Sequence, residues 1–226
     1  DGRFDPALSL VGTLPEGAVL QPLSQAIAAH AEEIQPVLGQ AGDGASTSAL
    51  NLALASDGAF LKLPRGAVVA EPVHLVCVAA SPRASQFLRH VVIAGDAAQA
   101  TVVEHYVGVP GAANLSHAAT RLSLGRDARI THLKLQRESE QAWHLGDIDA
   151  SQAQGSYFAS HSMSLGARLA RHDIATRFTG QRCETLLNGL YYVDKRRHVD
   201  HHTLIGHEQP RCVSHESYRG IMADTS

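Results

Sequence analysis

Residues 186–205, LLNGLYYVDKRRHVDHHTLI, carry the pattern that decides the fold. Two short runs with a strand-like composition, residues 186–193 and 199–205, flank the charged stretch between them. Runs of this length that are rich in aliphatic, tyrosine and β-branched residues and are separated by polar residues are typical of β-strands joined by tight turns. This stretch therefore predicts a β-rich architecture.

The same texture extends upstream, where seven further β-type runs precede this stretch. They cover residues 73–78, 90–94, 101–107, 121–124, 130–135, 157–165 and 169–178. Period-two alternation is clear in two places. Leu133 and Leu135 alternate with polar residues, and Tyr157, Ala159, Met163 and Leu165 share one face.

Two β architectures fit this pattern. A sandwich would show hairpin turns such as Asn-Gly or Asp-Gly between its strands, and Asp57-Gly58 lies before the strand series. A solenoid suits the high alanine and glycine content and the 5% aromatic content. Glycines follow several runs, but the intervals between them are too irregular to predict a strict repeat. These glycines are Gly95, Gly125, Gly166, Gly180 and Gly206. The pattern alone leaves both architectures open.

The N-terminal quarter has a different texture. Residues 1–17 are loop-like, and Ser24 is a candidate N-cap for a helix that Pro36 should end. Residues 40–44 predict a flexible break and residues 46–55 a second helix. The chain therefore divides into a lead-in of loops and short helices, residues 1–58, and a β core, residues 59–226.

Composition excludes several classes of protein. The formal charge of −3 argues against nucleic-acid and anionic-membrane binding, and the most apolar stretch is too short to span a bilayer. None of the three lysines follows a glycine, so no phosphate-binding P-loop is present. Cysteine occurs three times at wide spacing, which favours a reducing, cytoplasmic compartment over a disulfide framework.

Histidines gather near the C-terminal end. If residues 199–205 form a strand, His198, Asp200 and His202 share one face and could hold a divalent ion, with Cys212 as a further candidate ligand. The alternative is a solvated polar face with His201 hydrogen-bonded inside. Neighbouring residues on one face of a strand lie side by side and do not converge, which favours the solvated face.

The same residues carry a resemblance. Asn188-Gly189-Leu190-Tyr191, the string His198-Val199-Asp200-His201-His202-Thr203, and His207 followed by Cys212 resemble the SufB/SufD family of iron–sulfur cluster assembly proteins, and its SufD members in particular. The resemblance covers nearly the whole chain. It implies a right-handed parallel β-helix with a short helical lead-in, and so favours the solenoid over the sandwich.

The resemblance also implies a function. It is that of a non-enzymatic scaffold that acts with SufB and the SufC ATPase, holds no cofactor of its own and meets an iron–sulfur cluster only transiently in the full complex. The family's later β-helix turns and C-terminal helices, which contact SufB and SufC, would follow residue 226. We therefore expect the core to be truncated at its C-terminal end, and residues 1–226 alone to self-associate edge to edge and not to bind SufC.

An enzyme is the alternative. A His/Asp metal-dependent hydrolase would place its ion on His198, Asp200 and His202. A polysaccharide-cleaving β-solenoid would need clustered carboxylates, and the adjacent acids Glu32 and Glu33 lie in the helical lead-in. A generic interaction module is a third possibility.

Overall fold

A computed structural model describes residues 1–39 and 46–224. The predicted break at residues 40–44 lies outside the described residues. A short 3-10 helix at Pro6–Leu8 is followed by three α-helices, which are α1 (Leu23–Ala29), α2 (Ala31–Leu38) and α3 (Ser46–Leu54). None of the helices within the described residues is long and apolar enough to cross a membrane.

Thirteen strands make up most of the described chain. They are β1 (Val19–Pro22), β2 (Ala59–Leu63), β3 (Val73–Ala79), β4 (Ser85–Ala94), β5 (Gln99–Gly108), β6 (Leu115–Leu124), β7 (Arg129–Arg137), β8 (Trp143–Gln152), β9 (Tyr157–Ser164), β10 (Leu169–Phe178), β11 (Glu184–Val193), β12 (His198–Gly206) and β13 (Val213–Met222).

The strands form two sheets that alternate along the chain. Sheet A has the order β1-β2-β4-β6-β8-β10-β12, and sheet B has the order β13-β11-β9-β7-β5-β3. Every pairing is parallel and in register except that of β1 with β2, which is antiparallel. Each turn gives one strand to each sheet, so the molecule is a β-solenoid of about six turns. The predicted parallel β-helix with a short helical lead-in is confirmed, and the sandwich alternative is wrong.

A repeat of about 29 residues runs through one corner of the solenoid, between each sheet A strand and the sheet B strand that follows it. Each corner has a residue with positive φ and then a small side chain. The small residues are Ala98, Ala128, Ser156, Cys183 and Cys212. Gly95, Gly125 and Gly180 belong to this corner, but Gly166 lies in the other corner and Gly206 ends β12. The glycine intervals in the sequence are irregular because the five glycines come from three different positions in the solenoid turn.

The lead-in differs from its prediction in detail. Pro22, not Ser24, is the N-cap of α1, and the backbone N–H of Ser24 donates to the Asp57 carboxylate at 3.1 Å. Pro36 lies inside α2 and does not end a helix. The reason is a break at His30, whose non-helical backbone separates α1 from α2 and places Pro36 in the second turn of a new helix. The second predicted helix agrees with α3 to within one residue.

Four strands carry no clear sequence signal. They are β1, β2, β8 and β13. Strand β8 reads WHLGDIDASQ, with Gly146, Asp147 and Asp149 at its centre. These residue types disfavour strands in isolation, and the strand forms because β6 and β10 pair with it on both sides.

Candidate functional site

The interior of the solenoid is divided into two halves that differ in chemistry. We call the part beside the Gly95–Ala98 corner the apolar half. It is filled by one aliphatic cluster that includes Leu122, Ile130 and Phe158, each fully buried. We call the part beside the opposite corner the polar half. Its inward-facing residues are Glu104, Tyr106, His132, Lys134, Gln136, Glu138, His144 and His172.

In strand β7 the usual alternation is reversed. His132, Lys134 and Gln136 point into the solenoid and are at most 3% exposed, whereas Leu133 and Leu135 face outward and are only partly buried. The next strand of sheet B repeats this arrangement, since Met163 lies on its outer face and Ser162 is buried. Within the polar half, these two strands of sheet B therefore turn polar side chains inward and Leu133, Leu135 and Met163 outward.

Glu104 is the centre of one buried hydrogen-bonded group. Its carboxylate accepts from Tyr106 at 2.7 Å and from Thr120 at 2.5 Å, and its Oε1 lies 3.2 Å from Nε2 of His132. Burial alone would raise the pKa of Glu104, but His132, His90 and Thr120 outweigh it, so the pKa lies well below its usual value. Glu104 is therefore an ionised carboxylate inside the protein.

Glu138 is the centre of a second buried group near the opposite corner. His144 Nδ1 lies 2.8 Å from Glu138 Oε2, and the Gln136 amide donates to the same oxygen at 3.0 Å. Burial opposes ionisation of Glu138 as well, but His144, Ser116 and Gln136 lower its pKa overall. Two buried anions thus lie in the same half of the interior.

Lys134 is the buried cation between these two groups. Its Nζ lies 5.4 Å from the centre of the Tyr106 ring, and burial lowers its pKa to about 8 against the opposing pull of Glu104 and Glu138. A Cβ at Gly146 would lie 2.0 Å from this Nζ and 3.3 Å from His144 Nε2. Glycine at position 146 therefore makes the room in which Lys134 and His144 approach each other.

The polar half continues towards the C-terminal turns with His172 and His201, which are opposite each other in β10 and β12. Both nitrogens of His172 and Nε2 of His201 are buried without a hydrogen-bond partner among the described residues. Burial and then Lys134 lower the pKa of both rings, that of His201 to about 4. These imidazoles are therefore neutral at pH 7. Lys134, His172 and the partly buried His201 are thus polar side chains in one half of the interior, and the His172 ring makes no hydrogen bond to the other two.

The predicted metal ligands lie elsewhere. His198, Asp200 and His202 share the outer face of β12, as the two-residue period predicts. The Asp200 carboxylate forms an ion pair with Arg171 of the neighbouring strand. His202 Nδ1 lies 3.5 Å from Asp173 Oδ1. Within residues 1–39 and 46–224, no three His, Cys, Asp or Glu side chains are placed to hold one metal ion. The metal assignment stays a prediction without support from this geometry.

Two further motif residues, His201 and Gly189, pack against tyrosine rings in the last turns of the solenoid. His201 faces inward as expected, but its ring packs between those of Tyr191 and Tyr218 and its Nε2 lacks the predicted hydrogen bond. A Cβ at Gly189 would lie 2.1 Å from the Tyr218 ring, so this glycine makes room for that ring.

Two other motif residues lie at the surface. The Asn188 amide contacts His161 Nδ1 at 3.2 Å on the outer face of sheet B. His207 is exposed and contacts Ser214 Oγ at 3.0 Å. Cys212 lies in the corner column beside Cys183.

The buried polar half was missed because no local motif marks it. Register partners in neighbouring turns lie 26 to 31 positions apart in the sequence, and Glu104 and Lys134, which are opposite each other in β5 and β7, are 30 positions apart. The solenoid repeat is the one signal that could have found them, since it aligns Gln86, Ser116 and His144 in one inward column.

Comparisons with known proteins bear on the family to which the chain belongs. Residues 76–226 match the family described as SUF system FeS cluster assembly, SufBD core domain, and residues 1–75 match the SufBD protein N-terminal region. A SufBD family iron–sulfur cluster assembly protein of Synechocystis is 24% identical over 98% of this chain and 51% of its own length. The iron–sulfur cluster assembly protein SufD of Escherichia coli is 27% identical over 77% of this chain and 42% of its own length. The chain thus spans about half the length of the curated relatives it matches.

Proposed function

This chain belongs to the SufB/SufD family of the SUF iron–sulfur cluster assembly system, and we propose that within that system it is the core of a non-enzymatic, SufD-like scaffold subunit. In the intact protein its partners are SufB and the SufC ATPase. The subunit acts in the cytoplasm and holds no iron–sulfur cluster of its own, so such a cluster is bound only transiently in the assembled complex. All three cysteines are free thiols, which supports a reducing compartment.

The observation that carries the scaffold proposal is the set of apolar side chains on the outer face of sheet B. Leu133, Leu135 and Met163 are half-buried on this face. Val76 on the first strand of the sheet and Ile221 on the last are 60% and 57% exposed. Apolar side chains that are exposed on a surface mark candidate sites of protein–protein contact.

Sheet A provides the contrast within the same molecule. Its outer face is covered by the lead-in helices over the early turns. There the Arg89 guanidinium donates to the Leu38 carbonyl at 2.6 Å and to the Asn51 side chain at 3.0 Å. None of the described helices contacts sheet B to a comparable extent. The difference supports the outer face of sheet B as a further contact face for SufB, in addition to the contacts that the resemblance places after residue 226.

Co-purification of SufB with the intact protein tests this assignment. Leu135→Asp places a charge on the outer face of sheet B, and we expect it to reduce recovery of SufB. The matched control is Leu204→Asp, because Leu204 is an exposed leucine on the outer face of sheet A, and this variant should recover SufB as the unmodified protein does. Equal recovery with both variants would contradict the assignment of the contact to sheet B.

A second comparison tests the placement of the SufC site. The intact protein should capture SufC, whereas residues 1–226 should not, even with ATP present. Capture of SufC by residues 1–226 at full affinity would show that its docking site lies within this chain. The predicted edge-to-edge self-association of residues 1–226 through β12 and β13 is measured in the same preparation by sedimentation, where a monomer at all concentrations would contradict it.

A further inference from the structure

One corner of the solenoid stacks two cysteines that are 29 positions apart in the sequence. The backbone N–H of Val213 donates to the Cys183 carbonyl at 2.9 Å, and that of Glu184 donates to the Ser156 carbonyl at 3.0 Å. Ser156, Cys183 and Cys212 therefore occupy the same position in three consecutive turns. Their wide sequence spacing hides this pair from any search for a local Cys-x-x-Cys motif.

The two sulfur atoms share one backbone neighbour. Cys183 Sγ lies 3.1 Å from the Gly180 carbonyl oxygen, and Cys212 Sγ lies 3.4 Å from that same oxygen. The backbone N–H of Cys183 donates to Cys212 Sγ at 3.4 Å. The side chains thus point the same way and are offset by one turn of the solenoid.

This offset fits an ion between the sulfurs better than a bond joining them. In-register neighbours in adjacent strands are about 4.8 Å apart, and side chains that point the same way keep their Cβ atoms at about that spacing, above the roughly 3.5–4.5 Å Cβ separation of a disulfide. A zinc–thiolate bond is about 2.3 Å long, so two thiolates that hold an ion in line at a similar bond length are about 4.6 Å apart. The spacing of neighbouring strands is close to that separation.

We propose that Cys183 and Cys212 together bind one Cu(I) ion, with the Gly180 carbonyl oxygen beside it. Thiolates select this soft ion, and Cu(I) accepts two ligands in line. On binding, two S–H bonds break, two Cu–S bonds form and two protons leave to solvent, with no change in oxidation state. The site then carries one net negative charge, next to the exposed corner residues Arg182 and Arg211. Cys212 is partly exposed and Cys183 is 1% exposed, so the ion enters from the Cys212 side.

Competition with a chromogenic Cu(I) chelator under anaerobic conditions tests the proposal. We expect residues 1–226 to retain one Cu(I) per chain. Removing an outer-shell partner of a metal already weakens binding about 10–100-fold, so Cys183→Ser and Cys212→Ser, which remove a ligand, should each weaken it by more than about 100-fold. Serine occupies the same corner position at Ser156, so both variants keep a side chain that this corner accepts.

Cys77→Ser is the matched control because Cys77 is a buried cysteine outside the corner. This variant should retain the ion with unchanged affinity, and X-ray absorption of the loaded protein should show two sulfur neighbours. Unchanged Cu(I) retention in Cys212→Ser, or loss of the ion in Cys77→Ser, would overturn the proposal. So would a Cys183–Cys212 disulfide that forms in air in place of Cu(I) retention.

Discussion

The apolar and polar halves of the solenoid interior are built on the same backbone ladders but are stabilised in different ways. In the apolar half, residues such as Ile130 and Phe158 remove aliphatic and aromatic surface from water. In the polar half, the Glu104 and Glu138 carboxylates contact His132 and His144 beside the buried Lys134, and the buried His172 ring has no hydrogen-bond partner among the described residues. The regular parallel backbone specifies the coil in both halves. What differs is how each half responds to pH and to substitution.

Acid should have the largest effect, and it should act through the polar half. Burial lowers the pKa of His144 and His172, and that of His201 to about 4, from about 6.5 in an unfolded chain. The unfolded chain therefore binds more protons between these values, and the free energy of unfolding falls as the pH drops through this window. Each histidine contributes about 1.4 kcal/mol per pKa unit, against a typical total of about 5–15 kcal/mol.

We therefore expect loss of the β-sheet circular dichroism signal between about pH 5 and pH 4. His172→Leu should move the midpoint to lower pH because it removes a buried ring with no hydrogen-bond partner among the described residues. His198→Leu, at an exposed position, is the control and should leave the midpoint unchanged. An intact fold at pH 4 would show that the polar half does not depend on neutral histidines.

The next largest effect is expected in the apolar half. Phe158 is fully buried in the main aliphatic cluster, so Phe158→Ala should reduce the free energy of unfolding by about 3–5 kcal/mol through lost contacts and an unfilled cavity. Urea denaturation measures this change. Val76→Ala, at a position 60% exposed, should change stability by less than about 0.5 kcal/mol. A loss at Phe158 as small as that at Val76 would contradict the assignment of the core.

A smaller effect should follow from adding a methyl group to the polar half. In Gly146→Ala the new Cβ would lie 2.0 Å from Lys134 Nζ, which forces the lysine to move and should cost about 1–3 kcal/mol. Gly12→Ala is the control, since no atom lies within 4 Å of a Cβ built there. If both variants are equally stable in urea, Lys134 does not occupy the space at Gly146.

The smallest effect on stability is expected on the surface of the solenoid, at the outer face of sheet A. Arg171 is paired with Asp173 and Asp200, and its side chain is 40% exposed. Exposed ion pairs contribute about 0–1 kcal/mol, so Arg171→Ala should lower stability by no more than that. A loss of several kcal/mol in urea would mean that this surface cluster contributes as much as the interior does.

The sequence predicts the β-solenoid better than it predicts which face of each strand points into the solenoid. Most strands appear as β-type runs, and the residues resembling the SufB/SufD family select the solenoid over the sandwich. Strand β8 was missed because Gly146, Asp147 and Asp149 disfavour a strand until neighbours pair with it. The alternation in β7 was visible, but alternation gives two faces without saying which is buried.

The candidate site was less predictable for a different reason. Its members are distant in sequence and meet only through the register of neighbouring turns, as Cys183 and Cys212 do. His198, Asp200 and His202 form a local cluster in the sequence, which predicts a site. The fold spaces them along the outer face of one strand. Residues that are close in sequence therefore turned out to lie on the surface. The buried polar residues can be identified only when the register between neighbouring turns is known.

The most direct test of the divided interior is the ionisation state of His172 in the folded protein. Histidine ring nitrogens labelled with 15N report protonation during a titration from neutral pH to about pH 5, and the signal missing in His172→Leu identifies this residue. We expect the His172 ring to stay neutral throughout while the fold is intact. Protonation of His172 with a midpoint near about 6.5, the value of an unburied ring, in a protein that remains folded would contradict it.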